Sequence, residues 1–366
     1  MVRKGDIVPA SDAVILMEAT DLSPSISIPE IPQEANPENI SPKRRSFLVA
    51  EITRLKREKN ALVLAHNYLP PDVQDVADVV GDSLHLAKMG SESDADILCE
   101  AAVLFMNQIL AIRKKPHQTV LAPSLDALCS LAAHADVGKI QTWKKAHPTG
   151  IVISYVNTYV EVKAESHYCC ASGNAAQVIK YVLARHSGAP ILFLPDVYLG
   201  YYAAKLLEQE GESLDRLWLM MGACHVHDQI RPEHVFEQMQ RHPDAAVVIH
   251  PECGCTSACM TRMTKGLNPE EALAFRSTQG MVNYAKAVPN QTIIVATEVG
   301  NIHPMQRAVP DKKFIPASRD AVCAFMKQNT LEALYVSLRD EKHKITVDPA
   351  LAARAWDPIQ KMLDIV

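Results

Sequence analysis

The sequence predicts an α/β protein made of three homologous three-layer α/β domains, their parallel sheets arranged about a pseudo-threefold axis around one central site. Three observations lead there. Short β-branched runs alternate with helical stretches from Ser46 onward, the pattern of βαβ units whose strands are buried on both faces. SLDALC (124–129) and SRDAVC (318–323) are two copies of S-x-D-A-apolar-C, and a third apolar run, LWLMMGAC, ends in Cys224 between them. The first strand of each unit ends in a polar triplet.

Taken in order, residues 1–45 read as a flexible tail, because LSPSISIPEIPQEANPENISPKRR carries five prolines and no helical apolar stripe. The first domain, 46–130, opens with the helical run SFLVAEITRLKREKN and the strand ALVLAHNY. The second, 131–225, has IVISYVNT in the same role, and the third, 226–345, has AAVVIHPE. Their triplets are His66-Asn67-Tyr68, Tyr155-Val156-Asn157 and His250-Pro251-Glu252. A loop opening into a helix follows each strand, as VGDSLHLAK, CASGNAAQVI and RSTQGMVNYA. Ser83 and Ser172 lie 17 residues after His66 and Tyr155, whereas Ser277 lies 27 after His250. The third domain therefore carries an insertion, most simply within CGCTSACMTRMTKGLNPEEALAF. Third strands DILCEA, ILFLPDVYLG and IIVATEVGNI complete the units, and 346–366 reads as a C-terminal helix packing back on the body.

Composition sets limits on partners. The chain has 366 residues, 48% apolar, with a formal charge of -5. At about 150 residues per domain that is two or three globular units. The longest N-terminal apolar run, AVILM (13–17), is followed by Glu18, far short of the roughly 18 residues of a membrane span, and it lacks the features of a secretory signal. The mild acidity and the lack of a Lys/Arg stripe argue against nucleic acid or an anionic membrane as partner, and favour a small molecule. Nine cysteines in such a chain are expected to be reduced thiols or ligands in the cytoplasm, not a disulfide framework.

Ligands of parallel α/β units gather outside the carboxyl ends of the strands, where all three triplets fall. A central cavity would be lined by His66, Tyr68, Tyr155, Asn157, His250 and Glu252, with helix N-termini behind Ser83, Ser172 and Ser277 offering N–H groups to carboxylates or phosphate. Cys129, Cys224 and Cys323, spaced by 95 and 99 residues, are expected to converge, Cys129 and Cys323 in first turns of helices where the dipole favours thiolate. Three thiolates suggest a metal centre with an open position, either zinc with water or a four-iron, four-sulfur cluster bound through three irons. The plainer alternative is that they are buried small hydrophobes. The denser cluster at Cys253, Cys255 and Cys259 has no counterpart in the other domains and reads as reduced loop cysteines, with a zinc or redox site as the other possibility. His227, close to Cys224, is a further possible ligand.

At these residues the sequence resembles the quinolinate synthase family. The run LAHNYLPPDVQDVADVVGDSLHLAK is similar to its opening signature, and YVNTYVEVKA, CCASGNAAQVI, LPDVYLGYY, ACHVH, VIHPEC, STQGM, ATEVG and DAVCAFMKQNTLEAL follow in the family's order over roughly 47–345. The resemblance implies a transferase-type condensing enzyme of NAD biosynthesis, joining iminoaspartate and dihydroxyacetone phosphate to give quinolinate, with a functional link to L-aspartate oxidase. It implies a [4Fe-4S] cluster at the centre, held by Cys129, Cys224 and Cys323 with one iron open. The tail and the Cys255 to Phe275 insertion depart from shorter members.

With that chemistry, Glu252 is expected to be the general base, helped by Tyr68, with His66, His250 and His227 as further proton-transfer groups. Tyr155, Asn157, His66, His250 and Glu252 would hold substrate, and Ser83, Ser172, Ser277 and Thr278 would bind its anionic groups. Each has an ordinary structural reading too, the serines as helix caps and the histidines as hydrogen-bonded packing. A hydro-lyase using the same open iron, or an iron–sulfur sensor, remains the alternative.

Overall fold

In a computed structural model describing residues 2–13, 17, 20–264 and 273–365, three parallel sheets repeat one strand order. In the first sheet β2 (Ala61–His66) lies between β3 (Val79–Gly81) and β4 (Ile97–Ala101), with β5 (Thr119–Leu121) outside β4. The second sheet repeats this with β6 (Ile151–Tyr155), β7 (Tyr168–Cys170), β8 (Ile191–Leu194) and β9 (Leu217–Met220). The third does so with β10 (Ala246–Ile249), β11 (Leu273–Phe275), β12 (Thr292–Ala296) and β13 (Lys313–Pro316). Every pairing among these strands is parallel. The α/β fold class and the threefold repeat in the sequence thus have a direct structural counterpart. Strands β4, β6 and β8 are buried along their whole length, which is why they read as unbroken apolar runs.

The chain forms two compact units. One comprises residues 1–26, 130–321 and 350–366 and carries the second and third sheets. Its cores include Trp143, Val152, Leu192 and Met220 on one sheet and Val248, Met281, Ile293 and Val295 on the other. The other comprises residues 27–129 and 322–349 and carries the first sheet. There the helix Pro42–Glu58 starts with Pro42 after the cap Ser41, whose hydroxyl accepts from Arg44 N. It buries Leu48, Ile52 and Leu55, one stripe at helical spacing.

Several expectations meet specific local structure. Within the segment read as a tail, β1 (Ile7–Pro9) pairs antiparallel with β9, and short 3-10 turns form at Gln33–Ala35 and Pro37–Asn39. Residues 14–16 and 18–19 of that segment lie outside the described residues. The inserted stretch after Cys253 contains the helix Thr256–Thr264, while 265–272 lie outside the described residues. The C-terminal helix Pro349–Ile365 buries Ala355, Pro358, Ile359 and Met362, and Arg354 pairs with Glu165 at 3.0 Å. One correction concerns the cysteines: Cys129 and Cys323 sit in loops, not in first turns of helices, and only short 3-10 turns, Ala132–His134 and Met326–Gln328, follow them. The duplicated S-x-D-A segments do not wind into helix because Ser124 Oγ and Ser318 Oγ accept from the N–H groups of Asp126 and Asp320, closing serine turns.

Candidate active site

In the unit with two sheets, the ends of β6, β10 and β12 bring one constellation together. Pro251 has no N–H to extend the ladder, so pairing with β11 ends at Ile249↔Phe275 and the chain turns away at His250-Pro251-Glu252. His250 N still donates to Ala296 O at 2.9 Å, which fixes the base of the turn. The Glu252 side chain, 2% exposed, accepts at Oε1 from Tyr155 Oη at 2.6 Å. His227 Nδ1 lies 3.2 Å from its Oε2, and His250 Nδ1 lies 3.8 Å from its Oε1. The two imidazoles stack with centroids 4.8 Å apart, and His227 Nε2 is 2.9 Å from Thr297 Oγ1 just beyond β12. Cys224 N-caps the short helix His225–Asp228, and its Sγ together with ligand atoms of His227 and Glu252 all lie within 4.8 Å of one another.

This packing sets the charge. Burial alone would raise the Glu252 carboxyl, but His250, His227 and the Tyr155 hydroxyl outweigh it and hold the group down to about 2. Glu252 is therefore an ionised carboxylate in a buried site. Burial pushes His250 down to about 4 against the pull of Glu252, so that ring is neutral at pH 7. Glu252 N donates to His250 Nδ1 at 3.4 Å, which leaves the His250 proton on Nε2. A second carboxyl, Asp196, is fully buried and is pushed well above its ordinary range by burial and by the Glu252 charge. Its Oδ1 accepts from Leu199 N at 2.7 Å, so it also caps the helix Val197–Gln209.

Neighbouring turns are held from beneath. Lys163, fully buried, donates from Nζ to Val156 O at 2.8 Å, to Thr158 O and to Thr158 Oγ1 at 3.3 Å, fixing the turn that carries half-buried Asn157. Ser172 precedes the helix Ala175–Arg185, and a Cβ on Gly173 would stand 3.8 Å from Ser277 Oγ, so these two serine turns are adjacent. Ser277 caps the helix Thr278–Ala287 by accepting from Gly280 N at 3.2 Å, and Thr278 is buried.

In the unit with the first sheet, β2 pairs with β3 through His66↔Gly81, and Ser83 follows two residues after Gly81. Ser83 is the first residue of the helix Ser83–Glu92, and Asp82, not Ser83, is its cap. His66 and Tyr68 meet edge to face at 4.6 Å, and Tyr68 N donates to His66 Nδ1 at 3.1 Å, the local arrangement seen again at His250 and Glu252. Gln74 Nε2 donates to Asn67 O and Leu69 O, and buried Lys327 donates to Tyr68 O. The sequence patterns did not single out Thr297, Asp196, Lys163, Lys327 or Gln74. Thr297 alone had a positional signal, since it follows β12 as His250 follows β10.

The cysteines divide cleanly by burial. Cys129, Cys224 and Cys323 are half-buried, and each follows the fourth strand of its sheet, whereas the other six are buried. Burial pushes Cys99 up to about 12 and raises Cys253, which donates to Ala296 O, so these thiols stay protonated and are poor ligands. Cys255 and Cys259 share hydrogen bonds that also raise Cys259. The three half-buried cysteines thus lie one after each sheet.

The family described as "NadA: Quinolinate synthetase A protein" matches residues 50–364. The chain is 43% identical over 319 residues to the quinolinate synthase of Pyrobaculum aerophilum, covering 87% of this chain and 99% of that one. It is 42% identical over 322 residues to that of Thermus thermophilus, covering 88% and 98%. With that of Mycobacterium tuberculosis it shares 38% over 316 residues, covering 86% and 88%.

Proposed function

The chain belongs to the quinolinate synthase family, and from that premise we propose that it condenses iminoaspartate with dihydroxyacetone phosphate to quinolinate, releasing phosphate and water. The observation that carries this reading is the buried, ionised Glu252 with Tyr155 donating to one oxygen and His227 beside the other. No described helix is long and apolar enough to cross a membrane. A functional link to L-aspartate oxidase would follow from the need for an iminoaspartate supply.

The donor set suits a [4Fe-4S] cluster, which Cys129, Cys224 and Cys323 would hold. When bound, it would supply a Lewis acid at the iron that has no cysteine. The remaining work falls to side chains. Ser83, Ser172, Ser277 and Thr278, at the starts of helices of ten residues or more, would receive the substrates' carboxylates and phosphate. Those anions, brought near Glu252, would raise its proton affinity by like-charge repulsion, so that Oε2 accepts a proton only when substrate is present. Tyr155 Oη and His227 Nδ1 would then stabilise either protonation state. His66, Tyr68 and neutral His250 would donate and position, and Asn157 would orient substrate from its lysine-held turn.

Anaerobic turnover with both substrates tests this. Quinolinate and phosphate should form together. Dehydration of a hydroxy acid with no need for the triose phosphate would overturn the condensation and favour a hydro-lyase.

A further inference from the structure

We propose that the cluster-free protein binds one zinc-class divalent ion through Cys224 Sγ, His227 Nδ1 and Glu252 Oε2, and that this ion excludes the cluster. The site belongs wholly to one compact unit, and it would exist whether or not the proposed reaction is right. Cys224 and His227 stand three residues apart across a single helical turn, and their ligand atoms and that of Glu252 lie within 4.8 Å of one another, so modest closure gives metal-ligand geometry.

The surroundings are already arranged as for a metal site. Thr297 Oγ1, 2.9 Å from His227 Nε2, can hold the far side of the ring, the hydrogen bond that fixes tautomer and orientation in metal-bound histidines. Tyr155 Oη occupies Glu252 Oε1, which leaves Oε2 facing His227 Nδ1 at 3.2 Å. One thiolate, one imidazole and one carboxylate suit a borderline-soft ion and not magnesium or calcium, and the fourth position is left to water. On binding, the thiol proton passes to buffer. Because Cys224 is also a proposed cluster ligand, the two metal states compete for one sulfur.

The test uses full-length protein stripped of its cluster and titrated anaerobically with Co2+, then Zn2+. One Co2+ per chain is expected, with the strong visible absorption and thiolate charge-transfer band of a tetrahedral site, displaced by Zn2+. Cys224→Ser and His227→Ala should lose it, and Thr297→Val, a mild change that keeps the fold, should weaken it by about 10–100-fold. Cys129→Ser, Cys323→Ser and Cys255→Ser should bind normally. Unchanged binding in Cys224→Ser, or in Thr297→Val with the fold verified by circular dichroism, would overturn the site, as would loss in Cys255→Ser. Zn2+-loaded protein should take up less iron on reconstitution than metal-free protein, and full uptake with zinc retained would overturn the exclusion. Failure of the cluster assignment would be seen separately, as normal iron content in Cys129→Ser and Cys323→Ser.

Discussion

Tyr155 donates a 2.6 Å hydrogen bond to Glu252 across two sheets, from the last residue of β6 to the turn after β10. Its hydroxyl is one of the groups that keep Glu252 charged in a buried setting. Tyr155→Phe should let the carboxyl rise toward its ordinary value. With Glu252 proposed to act as a carboxylate, the acid limb of kcat/KM should move to higher pH, and the loss of one hydrogen bond to a charged group should separately lower turnover by roughly tenfold. Superimposable pH profiles for the two proteins would show that the contact does not tune Glu252.

Glu252→Gln keeps volume and removes the proposed base. Turnover should fall by roughly 10² or more, with iron content unchanged on the same samples. Near-normal quinolinate formation with the cluster intact would transfer the role to Tyr68 or a histidine.

Anaerobically prepared protein should contain about four irons per chain. Cys129→Ser, Cys224→Ser and Cys323→Ser should each lose most of them, while Cys253→Ser, Cys255→Ser and Cys259→Ser retain them. The reverse pattern in iron and sulfide analysis would reject the division by burial.

His134 offers a stability test away from the chemistry. It is 4% exposed, and neither ring nitrogen has a hydrogen-bond partner among the described residues. Burial, helped by the Lys4 ammonium, pushes it down to about 4. The unfolded chain takes up this proton near pH 6.5, so the native state is unaffected above that pH and loses stability as the pH falls toward 4. His134→Leu should therefore look about 2 kcal/mol better at pH 5 than at pH 8, relative to the parent, in urea unfolding. An equal difference at both pH values would mean that folding does not shift the ring's titration.

Strand-end chemistry was legible in the sequence because a parallel strand buried on both faces is an unbroken apolar run, so a polar triplet at its end stands out. Tyr155 and Glu252, which the structure brings into contact, stand out that way. The loops after the fourth strands were less legible, since SLDALC has helix-compatible composition and only the serine turn at Ser124 decides against a helix. Lys163 and Lys327 were invisible because a lysine reads as surface. Nothing in VEVKA says that its ammonium is fully satisfied by the carbonyls of the turn at Val156 and Thr158.

The repeated strand order has a consequence for solubility. Each sheet leaves the outer edge of its fourth strand to be dealt with, and a bare edge is a template for other chains. The edge of β9 is occupied by Ile7–Pro9, and that of β5 receives Ile345 N on Val120 O at 2.9 Å and offers Ala122 N to His343 O at 3.1 Å. The third, β13, is guarded by exposed Lys313 at one end and Pro316 at the other. Deleting the first ten residues would uncover β9 as a row of unsatisfied peptide groups. The result should be concentration-dependent intermolecular sheet, seen in light scattering before any change in catalysis.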